Sequence, residues 1–221
     1  FNLNSESEHY ERIQDLKTDD KGNLYLLFNF GGDGSPMVLH TDPEGNLLTN
    51  FQENCWFPLS HYYTTNGCFA LENNTIYGIL WESYSYVRPE EDDDGADQNH
   101  LISGFKYTYS LDPCEIDNFE YFFDEEKENP CSVAIFCPTA FSVKNKQLFI
   151  LDSSNNSLYK FSDRGELLQS YQSPERTFGT LSNISYHEND HIFVSDMNQS
   201  KVHRLDKDLA YIDSIGEEAD P

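Results

Sequence analysis

The chain has 221 residues, enough for one large domain or two small ones. Its 39 acidic residues outnumber 14 basic ones, and the net charge of -25 opposes binding to nucleic-acid phosphates or an anionic bilayer. An aromatic content of 14% is too rich for a disordered chain, and no apolar run approaches the roughly 20 residues of a spanning helix.

Short apolar runs separated by Gly, Asn and Asp dominate the chain, and no helical stripe persists. The first unit, about residues 10–51, predicts strands at Leu24 to Phe28, Met37 to His40 and Leu47 to Phe51. Gly31-Gly32-Asp33-Gly34 reads as a hairpin loop, because its acid would repel a phosphate and no Lys follows. Asp42-Pro43-Glu44-Gly45 suits a type I turn. The second unit, about 56–124, has strands at Thr75 to Leu80, Phe105 to Leu111 and Ile116 to Phe123, with a long acidic insertion over 82–103. A few helical residues are expected around Glu125 to Asn129. The third unit, 138–172, predicts strands at Ala140 to Val143, Leu148 to Asp152, Leu158 to Phe161 and Leu167 to Tyr171. The fourth, 181–216, predicts them at Leu181 to Tyr186, Ile192 to Asp196, Val202 to Leu205 and Ala210 to Ile215.

The last two units are copies of each other: Ile192 stands 44 positions after Leu148, and every matched residue keeps that offset. Four short strands in about 44 residues is the spacing of one propeller blade. The segment Leu148-Phe149-Ile150-Leu151-Asp152-Ser153-Ser154-Asn155-Asn156-Ser157-Leu158-Tyr159-Lys160-Phe161 and its copy Ile192 to Leu205 resemble NHL-type repeats of six-bladed β-propellers. The resemblance implies an all-β propeller of NHL-like four-stranded blades, four of them visible in this chain. Since that family closes with six, three arrangements stay open. The chain is a piece of a larger propeller, a compact ring of four or five irregular blades, or a half completed by another chain.

Some propellers are enzymes. Those resembling the gluconolactonases hold calcium in the central channel with side chains from innermost strands. The corresponding places here are Asp15, His61, Thr139 and Asn183. Asp15, Thr139 and Asn183 each precede Leu24, Leu148 and Ile192 by nine residues, so a polar channel ring is expected, with water as its ordinary content. Glu90, Asp92 and Asp94 before Gly95 resemble the start of a calcium loop, but Leu101 stands where the bidentate acid belongs, so the run reads as a solvated loop tip. His187 and His191 have helical metal-site spacing, yet Glu188-Asn189-Asp190 reads as a turn; His40 and His203 read as exposed strand residues. No resident metal or cofactor is assigned; calcium is the one candidate.

No Gly-x-Ser-x-Gly elbow or Cys–His signature appears. Of five cysteines, Cys131 with Cys137 and Cys55 with Cys68 have loop-closing spacing, while buried or idle thiols are the simpler reading. Tyr62, Tyr63, Trp81, Tyr84 and Tyr86 gather around the insertion as a candidate ligand surface, with blade packing as the alternative.

The reading that follows is a non-enzymatic binding module for a protein, peptide or carbohydrate, the partner favoured by this charge being basic or calcium-bridged. The alternatives are a calcium-dependent hydrolase or lyase using the channel, and a structural segment of a larger assembly. Low Lys content, the cysteines, a start at Phe1 and Asn-x-Ser/Thr sequons at Asn73, Asn155, Asn183 and Asn198 point to export.

Overall fold

A computed structural model describes residues 12–29, 36–48, 66–73, 75–83, 100–108, 117–124, 131–133, 135, 137–172, 179–187 and 189–216. These residues form strands and turns, with no helix among them. Fifteen strands make four antiparallel meanders, the four-bladed propeller arrangement that the repeats predict. The first sheet holds β1 (Arg12–Thr18), β2 (Leu24–Asn29) and β3 (Pro36–Thr41). Of the predicted fourth strand, Leu47 bridges Thr41, and residues 49–51 lie outside the described residues. The second sheet holds β4 (Asn66–Glu72), β5 (Thr75–Ser83), β6 (His100–Thr108) and β7 (Asp117–Asp124). The third is β8 (Pro138–Lys144), β9 (Gln147–Asp152), β10 (Ser157–Ser162) and β11 (Leu167–Gln172). The fourth is β12 (Leu181–Tyr186), β13 (His191–Asp196), β14 (Lys201–Asp206) and β15 (Tyr211–Ile215). The innermost strands lie in series, β1 beside β4, β4 beside β8 and β8 beside β12.

Each blade is apolar on both faces, so each joint is a sandwich. Tyr25, Leu27 and Val38 of the first blade pack on Phe69, Ile76, Leu80 and Phe105 of the second. Tyr77, Ile79 and Phe123 of the second meet Phe141, Leu148, Ile150 and Phe161 of the third. Phe149, Leu151 and Leu158 of the third meet Leu181, Ile184, Ile192, Val194 and Leu205 of the fourth. Full burial of each such side chain contributes about 1.5–3 kcal/mol. This explains the near-continuous apolar reading of β9: a strand covered on both faces has no solvent side to alternate toward. The outer strands β11 and β15 are exposed along most of their length, and Ile13 and Leu16 of β1 and Val202 of β14 are exposed as well.

Polar clasps accompany the apolar packing. Register sets Lys106 opposite Tyr77 and Lys160 opposite Phe149, the same place one blade later. Lys106 Nζ donates to the carbonyl of Asp163 (2.9 Å) in the β10–β11 turn of the next blade. Lys160 Nζ donates to the carbonyl of Lys207 (2.8 Å) in the β14–β15 turn. At the inner edge, the carboxylate of Glu72 accepts the N–H groups of Asn145 and Lys146 (2.9 Å for Lys146). Those two residues have φ of 52° and 57°, the left-handed pair that a two-residue hairpin turn requires.

Five hairpins use one longer turn. In each, the first residue's carbonyl accepts the N–H of the fourth, and its N–H donates to the carbonyl of the fifth; the turns open at Asp19, Asp42, Ser162, His187 and Asp206. The fourth residue has positive φ in all of them, and is Gly22, Gly45, Gly165, Asp190 or Leu209. Gly165 carries a second constraint, because a Cβ there would lie 2.1 Å from the carbonyl oxygen of Phe122 on the preceding blade; at Gly45 a Cβ would meet nothing within 4 Å. Gly45→Ala is therefore expected to cost about 1 kcal/mol from φ alone, and Gly165→Ala about 3 kcal/mol because the joint must also open. Urea unfolding of the two variants measures the difference.

Two sequence expectations change. Strands β5 and β6 run to Ser83 and from His100, so the connection between them is residues 84–99 rather than 82–103: Ser83 and His100 remain in register with each other. His40 and His203 are buried, not exposed. His40 stacks on Tyr25, with ring centroids 4.3 Å apart, and His203 lies 3.2 Å from the carboxylate of Asp196. The helix expected at Glu125 to Asn129, together with Cys55 and Cys114, lies outside the described residues.

Candidate functional site

Asp15 and Asn183 occupy equivalent places on the innermost strands. Asp15 pairs with Leu27 and Asn183 with Ser195, the fourth residue of the matched segments Leu24 to Leu27 and Ile192 to Ser195. Thr139 does not join them. The two-residue turn at Asn145-Lys146 shortens the third blade's hairpin, so register puts Ala140 opposite Leu151 at that place and leaves Thr139 in the bulge beside it. Counting nine residues back from Leu148 misses this, because hairpin length differs between blades. Thr139 Oγ1 donates to the carbonyl of Leu151 (3.4 Å). His61 lies outside the described residues.

The Asp15 carboxylate serves the scaffold. Oδ2 accepts the N–H of Phe69 (3.0 Å) from β4, while Oδ1 accepts the N–H of Leu16 (2.8 Å) and Lys17 Nζ (3.1 Å). It thus ties the first blade to the second. Asn183 Oδ1 accepts the N–H of Ile184 (2.8 Å). Among the described residues no group of three His, Cys, Asp or Glu side chains is arranged to hold a metal ion.

A more developed polar constellation sits at the ends of the second strands. Asp152 and Asp196 are fully buried copies of each other. Asp152 Oδ1 accepts the N–H of Cys137 (3.2 Å), the N–H of Ser154 (3.0 Å) and the hydroxyl of Ser154 (2.6 Å). Asp196 accepts the N–H of Gly179, the N–H of Gln199 (3.1 Å) and a contact from His203 Nε2 at 3.2 Å. Each aspartate fastens the segment entering its blade to the turn leaving its second strand. Burial pushes the Asp196 carboxyl up, but the N–H groups of Gly179 and Gln199 and the His203 ring outweigh it and hold the carboxyl below its ordinary value. In the sequence these two aspartates read as a repeat signature and not as a latch; the 44-residue offset is the signal that pairs them.

Trp81 is half-buried near the end of β5, where it packs against the cluster between the second and third blades. Tyr62, Tyr63, Tyr84 and Tyr86 lie outside the described residues, as does the acidic run Glu90 to Asp97. His187 and His191 frame a tight turn, with the His187 N–H donating to the carbonyl of His191 (2.8 Å). Cys68 is a buried thiol, and burial, reinforced by the nearby Asp15 charge, pushes its pKa up and disfavours the thiolate that nucleophilic attack requires. Cys131 and Cys137 are not disulfide-bonded to each other, nor is Cys68 disulfide-bonded.

Two measurements test these assignments. Asp15→Ala leaves the Phe69 N–H unsatisfied between two blades and is expected to cost about 2 kcal/mol in denaturant unfolding. Burial holds the His40 pKa below its ordinary value, against the opposing pull of Asp19. The folded state therefore binds fewer protons than the unfolded chain just below pH 6.5, and stability falls as pH drops through that range. The expected thermal midpoint decreases from pH 7 to pH 5.5, and His40→Phe flattens that limb while leaving the steeper acid loss below pH 4, where Asp19, Asp42 and Asp196 protonate.

No protein-family profile and no curated protein matches the sequence. Solved structures do. A protein of unknown function from Bacteroides thetaiotaomicron aligns over 93% of this chain and 44% of its own, at 11% identity and a TM-score of 0.52. A luciferin-regenerating enzyme aligns over 92% of this chain and 60% of its own, at 16% identity and a TM-score of 0.49. A chain of a nidogen/laminin complex aligns over 93% and 80%, at 9% identity and a TM-score of 0.44. The chain spans less than half the length of the first of these and three-fifths of the second. At such identities the first likeness speaks to the fold, and the other two carry no argument.

Proposed function

We propose that this chain is a non-enzymatic binding module whose blades carry an acidic recognition loop for a basic protein or peptide. The observation that supports this most is where the acids go. Asp15, Asp152 and Asp196 are absorbed by the scaffold, each accepting backbone N–H groups, whereas Glu90, Glu91, Asp92, Asp93, Asp94 and Asp97 fall in the connection 84–99, between paired Ser83 and His100. A blade edge held in register is a fixed base for such a loop, and Trp81 stands half-buried beside it. A net charge of -25 draws a cationic partner over a longer range than any contact. Export fits the same picture, since sequons and few lysines suit an extracytoplasmic surface.

Titration of a fluorescent Lys/Arg-rich peptide into the full chain, at several salt concentrations and with or without calcium, tests the reading. The expected result is binding that weakens as salt rises, is indifferent to calcium, and falls at least about fivefold when the six acids of 90–97 become Asn or Gln. Neutralising the exposed acids Asp20 and Glu166 instead is expected to leave affinity within about twofold. Equal losses from both sets, or calcium-dependent hydrolysis of a lactone or ester, would overturn it.

A further inference from the structure

The two outermost blade faces of this chain are the two halves of the joint that is already built three times inside it. Leu16, Phe69, Phe141 and Ile184 hold one register position on the innermost strands, opposite Leu26, Gly78, Ile150 and Val194. Phe69, Phe141 and Ile184 are 1%, 1% and 6% exposed because each packs on the preceding blade; Leu16 is 49% exposed. Ile13, one step along, stands open as well. At the other end, Val202 corresponds to Leu158. Leu158 is 1% exposed against the fourth blade, and Val202 is 37% exposed.

The polar clasp is repeated too. Opposite the aromatic of each second strand stands a cationic or imidazole side chain: His40 opposite Tyr25, Lys106 opposite Tyr77, Lys160 opposite Phe149 and Arg204 opposite Phe193. Lys106 and Lys160 each reach the carbonyl of the second residue in the next blade's outer turn. Lys106 does so while paired with its cross-strand neighbour Glu120 (3.2 Å). Arg204 keeps the same kind of cross-strand partner, forking onto Asp213 with Nε to Oδ1 at 2.9 Å.

From this continuity we infer that the face of β13, β14 and β15 docks a further blade of the same construction, and that the occupant is the first blade of a second copy of this chain. The chemistry is complementary. The first blade offers Ile13 and Leu16 to the open apolar face. Its outer turn, Asp42-Pro43-Glu44-Gly45, presents the Pro43 carbonyl where Asp163 and Lys207 present theirs, with the exposed Glu44 beside it for the Arg204 guanidinium. The contact is head-to-tail, so each copy keeps one face for a neighbour until a ring closes. It does not depend on the acidic loop.

Light scattering and native mass spectrometry of the full chain across a concentration series test this, with Arg204→Glu and Leu16→Asp as variants. Both positions are solvent-accessible, and thermal melts check that each variant folds. Wild type is expected to self-associate, and each variant alone to weaken association at least about tenfold. A mixture of the two is expected to form one-to-one heterodimers and nothing larger, because Arg204→Glu retains a sound first blade and Leu16→Asp a sound fourth. A wild-type chain that stays monomeric, association that both variants leave intact, or a mixture that yields no heterodimer would each overturn the inference.

Discussion

Everything in this molecule depends on the blade-to-blade joint. A four-stranded meander of this size is apolar on both faces and has no stable life alone. Its neighbours supply the missing solvent exclusion, and a cation then reaches across to a backbone carbonyl that would otherwise lose its water. Lys106 and Lys160 perform the same operation one blade apart. The apolar term is non-directional and sets only that blades stack; the lysine-to-turn hydrogen bond and the Glu72 carboxylate on the Asn145-Lys146 hairpin fix how far each is rotated against the next.

The joint also governs where chemistry is possible. Carboxylates placed near the inner strands or at strand ends are consumed in holding chain segments together. Asp15 spends one oxygen on a neighbouring blade, and Asp152 and Asp196 hold the entry of their own blades. An aspartate whose oxygens are taken up by two backbone N–H groups has little accepting capacity left for a partner. Carboxylates without such backbone partners are thereby left to the connections, among which 84–99 carries the densest charge. Under the proposed binding function the scaffold carries stability and the connection carries specificity.

Repetition with small departures explains the places where register reasoning mattered most. The third blade's β8–β9 hairpin is one residue shorter than those of the first and fourth blades, which moves Thr139 off the position shared by Asp15 and Asn183. Leu209 and Asp190 stand where three other turns have glycine. Leu209 is held in the left-handed region by its burial against the last joint, and Asp190 accepts the Tyr186 hydroxyl at 3.0 Å. At Leu209 a tertiary contact overrides the local preference, while at Asp190 the contact is made within its own hairpin.

The sequence by itself determined the fold class, the repeat and most of the strands, but it did not mark the innermost strands β1 and β4 of the first two blades. Alternation, turn residues and the 44-residue offset are local properties, legible wherever both faces of a strand are buried and its ends are punctuated. It also showed that the chain is acidic and that one connection is acidic above all. What only the tertiary structure decided is which residues meet across joints. The pairs that unite the aromatics Tyr25, Tyr77, Phe149 and Phe193 with an imidazole or cation, His40, Lys106, Lys160 and Arg204, are scattered in sequence and become one feature only through register. The burial of His40 and His203 has the same origin. A strand residue faces solvent or a neighbouring blade according to how sheets stack, and stacking is decided by contacts that no single strand contains.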